Sequence, residues 1–267
     1  MQRGFLKRGD AEIYYEVSGT GPALIFAHGL GGNHLSWWQQ VPHFSSHYTC
    51  IVFAHRGFVP SRLLDVAPEP AEFAADLAAL IAHLRLDEVR LVAQSMGGWT
   101  CLAYALGEPA RVKALVLACT TGVADPARLP GVDHAALASW TESSGKQIAQ
   151  FGAAGIHPAC GARMAREQPA LHHLYRQIDS LNADLDKEAL RRKLYALRTA
   201  GLERLAGFEV PVLCISGAED LVIPPAGVRA IAAAFSSGRF EQHEAAGHSV
   251  YFERAAWFNE KVEAFLG

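Results

Sequence analysis

Five short runs of consecutive apolar residues are spaced along the chain. They cover residues 22–28, 49–55, 89–94, 112–119 and 210–216. Apolar runs of this length are typical of strands that are buried on both faces of a parallel sheet. The N-terminal segment differs, because apolar and polar residues alternate over 11–17 as in a half-buried strand. Together with residues 4–8 and a turn at Gly9-Asp10, this segment predicts a hairpin.

Helical periodicity separates several of these runs. Between 70 and 86, apolar side chains recur on one helical face, and the same spacing returns near the C-terminus at Phe258, Val262 and Phe265. The residues after Ser95 predict a further helix that ends near Gly107. Strands that alternate with helices favour an α/β fold with right-handed crossovers. We therefore predict a doubly wound, mostly parallel sheet of about eight strands.

One stretch, 122–208, interrupts this alternation. It contains no run that predicts a strand, and it shows helical patterns at roughly 133–151, 160–181 and 184–205. We predict a core domain formed by 1–121 and 209–267, with 122–208 inserted as an all-helical cap. Such an insertion would lie over one end of the sheet and influence which substrate is accepted.

Composition narrows the functional classes. The chain has 267 residues, half of them hydrophobic, and its 24 Lys and Arg against 27 Asp and Glu give a formal net charge of −3. This balance argues against a nucleic-acid partner. The five cysteines show no C-x-x-C spacing, so neither a disulfide framework nor a zinc site is expected. Because the sequence shows neither a leader nor an apolar stretch of membrane length, we expect a cytoplasmic protein that does not bind membranes. We expect a monomer or a homodimer.

The stretch around Ser95 carries the clearest chemical signal. Ser95 directly follows the apolar run at 89–94 and precedes a predicted helix, with small residues at Ala93 and Gly97. A serine on such a sharp strand-to-helix turn projects its hydroxyl from the end of the sheet. The free amides of the helix N-terminus also favour a developing negative charge there.

Four loops resemble those of the α/β-hydrolase family. Residues 93–97 resemble its nucleophile elbow, with Ala93 in place of the usual first glycine, and 28–32 (HGLGG) resemble its oxyanion loop. Residues 217–224 (GAEDLVIP) resemble the acid loop, and 246–248 (AGH) the histidine loop. The order Ser, Asp, His along the chain is that of the family.

The resemblance implies a role for each matching residue. Ser95 would be the nucleophile, His248 the general base, and Asp220 the acid that orients the imidazole and stabilises its charged form. The backbone N–H groups of Leu30 and Met96 would form the oxyanion hole. The resemblance implies neither a cofactor nor a metal.

Two assignments have alternatives. Asp125 follows the run at 112–119, where some relatives place the acid, although Asp125-Pro126 is also typical of an ordinary turn. Four tryptophans lie near the predicted site in sequence or in the cap, and each could be a substrate contact or a core residue: Trp37, Trp38, Trp99 and Trp140.

These observations predict a serine hydrolase of the carboxylesterase or lactonase type. Its partner would be a small to medium apolar ester or lactone, cleaved through an acyl-enzyme on Ser95. One alternative is a C–C bond hydrolase that acts on a diketone-type ring-fission product. A second, from another class, is a small-ligand-binding protein with slow or no turnover.

Overall fold

A mixed sheet forms the centre of the protein. The computed structural model describes residues 1–64, 67–129 and 132–267. Its strands are β1 (Gln2–Arg8), β2 (Ala11–Ser18), β3 (Ala23–Ala27), β4 (Thr49–Phe53), β5 (Arg62–Leu63), β6 (Val89–Gln94), β7 (Val112–Ala118), β8 (Val212–Gly217) and β9 (Gly238–His243). Eight of them lie side by side in the order β1-β2-β4-β3-β6-β7-β8-β9, and β5 pairs with β2.

The pairing confirms the predicted fold class. Strands β4, β3, β6, β7, β8 and β9 are joined by parallel pairs, whereas β1 and β5 pair antiparallel with β2, and β2 antiparallel with β4. The five apolar runs coincide with β3, β4, β6, β7 and β8. The N-terminal hairpin is formed by β1 and β2, with Arg8 opposite Ala11.

Successive residues of the central strands pack into two different hydrophobic clusters. In β3, for example, Ile25 belongs to one cluster while Leu24 and Phe26 belong to the other. This alternation follows from the strand geometry, which directs neighbouring side chains to opposite faces. Both faces of the sheet are therefore covered, which explains why the sequence shows continuous apolar runs here.

Eleven α-helices are present in the described residues. They are α1 (Gln40–Phe44), α2 (Phe73–His83), α3 (Met96–Gly107), α4 (His134–Ala153), α5 (Gly161–Glu167), α6 (Pro169–Ser180), α7 (Lys187–Ala196), α8 (Leu202–Ala206), α9 (Pro225–Ala234), α10 (Val250–Glu253) and α11 (Ala255–Leu266). Short 3-10 helices occupy His34–Trp37, Pro70–Glu72, Pro109–Arg111 and Pro126–Arg128. Helices α2, α3 and α9 contribute to one hydrophobic cluster, and α1, α6 and α11 to the other.

Helices α4 to α8 lie between β7 and β8 in the chain, within the stretch 122–208, which we call the helical insertion. The predicted helix at 160–181 is divided into α5 and α6, because Pro169 disfavours the helical conformation at Gln168. The predicted helix at 184–205 is likewise divided into α7 and α8. No helix among the described residues combines the length and apolar character needed to cross a bilayer.

Two core elements have no clear hydrophobic signature in the sequence. Strand β9 lies at the edge of the sheet and its sequence, GRFEQH, is mostly polar because its side chains are only partly buried. Helix α9 is rich in alanine, so its buried face is marked by few large side chains, among them Val228 and Ile231. Because β8 and β9 pair in parallel, the loops that follow them leave the same end of the sheet, where the candidate site lies.

Candidate active site

Ser95 occupies a strained turn between β6 and α3. Its backbone has φ 50° and ψ −118°, which a residue with a side chain adopts only when the surroundings enforce it. The Ser95 N–H donates to the carbonyl of Ala118 at the end of β7, with 3.0 Å between nitrogen and oxygen. The turn is therefore held by the neighbouring strand, as the nucleophile-elbow pattern predicts.

Glycines are required where the backbone passes close to this turn. A Cβ atom on Gly97 would collide with the carbonyl of Ala27 at the end of β3. A Cβ atom on Gly29 would collide with the Gln94 side chain and lie 3.1 Å from the Ser95 Cβ. The first turn of α3 thus approaches the end of β3, and the loop after β3 approaches Ser95, more closely than any larger residue would allow.

The structure brings Ser95, His248 and Asp220 together in one hydrogen-bonded row. The His248 Nε2 lies 2.9 Å from the Ser95 Oγ, and the His248 Nδ1 lies 2.9 Å from the Asp220 Oδ2. All three side chains are buried. Because the Asp220 carboxylate accepts a hydrogen bond from the Nδ1–H, the Nε2 atom is left free to accept the hydroxyl proton of Ser95.

Asp220 is fixed from its other side by the backbone. Its Oδ1 accepts the N–H groups of Val222 and Ile223, at 2.7 and 2.9 Å. Asp125, the alternative acid, instead caps the 3-10 helix at Pro126–Arg128, where its Oδ1 accepts the Ala127 N–H. The carboxylate that contacts His248 is therefore the one after β8.

A second buried carboxyl group, that of Glu253, holds the loop that carries His248. Its oxygens accept the N–H groups of Gly247 and Ser249, on either side of the histidine, at 3.0–3.2 Å. Gln94 adds a bond from its side-chain amide to the carbonyl of His248. Burial raises the pKa of Glu253 to about 8, against the weaker lowering effect of these N–H donors.

The loop after β3 presents Leu30 to the cavity, close to Met96 at the first position of α3. The Met96 N–H belongs to the first turn of a helix and has no helical carbonyl to bond. The Leu30 N–H shares one planar peptide with the carbonyl of Gly29, so fixing that carbonyl also fixes the direction of the N–H. The Gly29 carbonyl accepts the His28 Nδ1–H at 2.8 Å and the Gly32 N–H at 3.1 Å.

A buried row of side chains supports His28 in turn. The His28 Nε2 accepts the backbone N–H of His55 and lies 3.0 Å from its Nδ1, while the His55 Nε2 lies 2.9 Å from the Thr100 Oγ1. These contacts require a proton on Nδ1 of both rings, with the Thr100 hydroxyl as the final donor. Burial lowers the pKa of His28 to about 3 and that of His55 well below its usual value, so both rings are neutral.

A cavity of about 160 Å³ opens in front of Ser95 and His248. Its apolar wall comes mainly from the core, through Leu30, Met96, Trp99, Val222 and Ile223. The helical insertion supplies a mixed wall formed by His157, Pro158, Ala159, Tyr175, Asp179, Lys187, Arg191, Leu194 and Tyr195. The insertion thus forms one side of the space in which a ligand would meet Ser95.

Of the four candidate tryptophans, Trp99 lines this cavity, and its Nε1–H donates to the carbonyl of Leu194 at 2.8 Å. Trp37 is fully buried in the hydrophobic cluster on the other face of the sheet, against Phe26 and Tyr251. Trp38 is exposed, and Trp140 on α4 lines a different groove, which is formed by α4, α5 and the loop after β8. We therefore keep Trp99 alone of the four as a candidate substrate contact.

One group of described residues has the composition of a metal site: Cys119, Asp220 and His248, whose ligand atoms lie within 4.8 Å of one another. All three are buried, and the aspartate and histidine are already hydrogen-bonded to each other. Burial raises the pKa of the Cys119 thiol well above its usual value, so the thiol keeps its proton in the metal-free chain. All five cysteines are free and buried.

The sequence-based interpretation missed the charged residues of the cavity wall. Asp179 lies on α6, and Lys187 and Arg191 are four residues apart on α7, so the two cations share a helix face. This spacing was the available signal. It does not by itself distinguish a cavity wall from a solvated helix face.

The Glu253 carboxyl group predicts a specific dependence of stability on pH. Its pKa is higher in the folded chain than in the unfolded chain. Its contribution to the free energy of unfolding is therefore complete below about pH 4.5 and is lost as the pH rises to about 8. Urea unfolding at several pH values should show this decline for the wild type. The free energy of unfolding of Glu253→Gln should change less with pH over the same range. Parallel curves for the two proteins would contradict the raised pKa of Glu253.

Comparisons with known proteins agree with this architecture. The model of the alpha/beta hydrolase fold matches residues 22–255. The chain is 31% identical to the "Putative non-heme bromoperoxidase BpoC" of Mycobacterium tuberculosis, over 95% of this chain and 97% of that protein.

Two solved structures share the fold over nearly their whole length. A thermophilic esterase from Thermogutta terrifontis, with malate bound, aligns with TM-score 0.77 at 22% identity, over 100% of this chain and 98% of that one. The enol-lactonase of Burkholderia xenovorans LB400 aligns with TM-score 0.77 at 24% identity, over 98% and 99%. From the family match and the relative at 31% identity, this chain belongs to the α/β-hydrolase family.

Proposed function

We propose that the protein is a serine hydrolase that cleaves a small carboxylic ester or lactone through an acyl-enzyme on Ser95. The observation that carries this proposal is the hydrogen-bonded row from Ser95 through His248 to Asp220, at 2.9 Å for each link. A serine hydroxyl is a weak nucleophile unless a base accepts its proton during attack. The row supplies that base and fixes its tautomer.

In the first half of the reaction, Ser95 Oγ attacks the substrate carbonyl carbon while its proton moves to His248 Nε2. The Asp220 carboxylate stabilises the imidazolium that forms, without taking the proton itself. The imidazolium then returns the proton to the leaving alcohol as the tetrahedral intermediate collapses to the acyl-enzyme. In the second half, water attacks the acyl carbon with His248 again as the base, and Ser95 is released.

The tetrahedral intermediates carry a negative oxygen that needs donors already in place. The N–H groups of Leu30 and Met96 are suited to this role because both residues line the cavity beside Ser95. Their directions are set before substrate arrives, by the bonds to the Gly29 carbonyl and by the start of α3. Donors held in this way require no reorganisation during the reaction and contribute about 10²–10³ to the rate for each donor.

The cavity favours small substrates. A cavity of ~150 Å³ holds a benzene-sized molecule, and that in front of Ser95 is about 160 Å³. We therefore expect short acyl chains or small rings to be preferred. The esterase and lactonase among the fold neighbours guide the first choice of substrates for a test.

The two alternatives to a serine esterase or lactonase predict different results with a panel of simple esters, lactones and diketones. A C–C bond hydrolase would cleave diketones and leave simple esters and lactones largely untouched. A ligand-binding protein would bind one of these compounds without turnover at Ser95.

Ser95 should react as an activated nucleophile. Exposure to a fluorophosphonate should add one adduct to the wild type, because His248 and Asp220 activate the hydroxyl for attack on phosphorus. Intact-mass measurement should find no adduct on Ser95→Ala, which should also lose ester turnover while keeping its fold by circular dichroism. An unlabelled, folded wild type, or an active Ser95→Ala, would overturn the assignment of the nucleophile.

The two candidate acids should differ in their effect on kcat, because Asp220 contacts His248 whereas Asp125 caps a 3-10 helix. Asp220→Asn should lower kcat by about 10³–10⁴, because an amide N–H facing Nδ1 favours the wrong histidine tautomer. Asp125→Asn serves as the matched control, and its kcat should stay close to that of the wild type because Asp125 caps a 3-10 helix. Steady-state kinetics on one ester would decide, and a larger loss in Asp125→Asn would move the acid to the loop after β7.

A further inference from the structure

The wall that the helical insertion contributes to the cavity is charged. Asp179 on α6 and Lys187 and Arg191 on α7 all line the cavity that contains Ser95, together with His157 from the loop before α5. The Asp179 carboxylate also lies against the oxyanion loop, since a Cβ atom on Gly31 would be 3.0 Å from its Oδ1. These charges therefore stand beside the reacting centre.

The single carboxylate of this wall is fully engaged by its neighbours. The Lys187 Nζ donates to the Asp179 Oδ1 at 2.6 Å and to its backbone carbonyl at 3.2 Å. The His157 Nε2 lies 3.5 Å from the Asp179 Oδ2. Burial alone would raise the pKa of Asp179, but the bonds from His157 and Lys187 outweigh it and lower the pKa. Asp179 and Lys187 therefore balance each other's charge.

Arg191 has no such balance inside the cavity. It lies one helical turn after Lys187, and its guanidinium pairs with Glu188, whose side chain is 70% exposed and does not line the cavity. Exposed ion pairs of this kind contribute little free energy. Among the described residues that line the cavity outside the Ser95 row, two cationic side chains thus face one carboxylate.

We propose that the natural substrate carries a carboxylate group that binds against Arg191. This inference rests on the proposed hydrolase function and adds an acidic end to its ester or lactone. The planar guanidinium has five N–H donors in a fork that matches a carboxylate, and the outward bond to Glu188 uses only part of it. The apolar wall of Leu194, Val222 and Ile223 would hold the carbon skeleton between the acidic end and Ser95.

A substrate with one carboxylate differs from the apolar ester or lactone that the sequence predicts. Apolar side chains line much of the cavity, which agrees with a short hydrocarbon body. Arg191 has no carboxylate partner among the described residues that line the cavity, and an anionic substrate would supply one through charge-assisted hydrogen bonds. A neutral ester of the same size gains nothing from Arg191.

The test compares matched substrates that differ in one charge. Mono-4-nitrophenyl adipate and 4-nitrophenyl hexanoate place a carboxylate or a methyl group at the end of the same acyl chain. On the alcohol side, 4-carboxyphenyl butyrate and 4-methylphenyl butyrate differ in the same way. For each pair, the ratio of kcat/KM for the charged to the neutral ester is measured after subtraction of the enzyme-free rate.

The variants are Arg191→Gln and the control Arg192→Gln, which removes an equal charge from the next, exposed residue of α7. Dividing the variant's ratio by that of the wild type cancels the intrinsic reactivity of the esters. For at least one pair, Arg191→Gln should lower the ratio about tenfold, which corresponds to ~1.4 kcal/mol. Arg192→Gln should leave the ratio unchanged. Added salt should lower the wild-type ratio, because Arg191 is partly exposed.

The outcomes separate this inference from the proposed function. If the neutral esters are hydrolysed at Ser95 but neither ratio falls in Arg191→Gln, or both variants lower it equally, the carboxylate subsite is overturned and the hydrolase remains. If no ester is hydrolysed and the fluorophosphonate does not label folded protein, the proposed function is overturned and the substrate inference with it.

Discussion

The turn at Ser95 is the constraint on which the rest of the site depends. A φ of 50° at a residue with a side chain costs on the order of 1–3 kcal/mol. This cost is offset by the buried parallel strands on either side, because the Ser95 N–H bonds to the end of β7 and Gly97 packs against the end of β3. The same turn starts α3 at Met96, so one backbone conformation places both the hydroxyl and an amide donor at the cavity.

The partners of Ser95 are held by buried polar groups that the core itself orients. Glu253 fixes the loop on both sides of His248, and Asp220 is fixed by two backbone N–H groups. On the other side, the row from Thr100 through His55 and His28 fixes the Gly29 carbonyl and with it the Leu30 N–H. Each group is neutral or paired where it is buried, which limits the free-energy cost of placing so many polar atoms in the interior.

The sequence was most informative where burial is complete and local geometry is demanding. The continuous apolar runs identified β3, β4, β6, β7 and β8, and the loops that follow β3, β6 and β8 contain the Gly, Ser and Asp residues that the site uses. It was least informative at the sheet edge, where partly buried strands such as β9 need no apolar pattern. It also could not assign the tryptophans, because Trp37 and Trp99 both lie near the predicted site in the sequence but pack on opposite faces of the sheet. The charged cavity wall depends on how α6 and α7 meet the core, and no local pattern encodes that contact.

The central claim is that an activated Ser95 and two preset amide donors act on one carbonyl group. The most direct measurement is a crystal structure of the protein after reaction with a small alkyl fluorophosphonate. We predict a covalent bond from Ser95 Oγ to phosphorus, with the phosphoryl oxygen within ~3 Å of the N–H groups of both Leu30 and Met96. An adduct on another residue, or a phosphoryl oxygen that faces away from these two donors, would contradict the account.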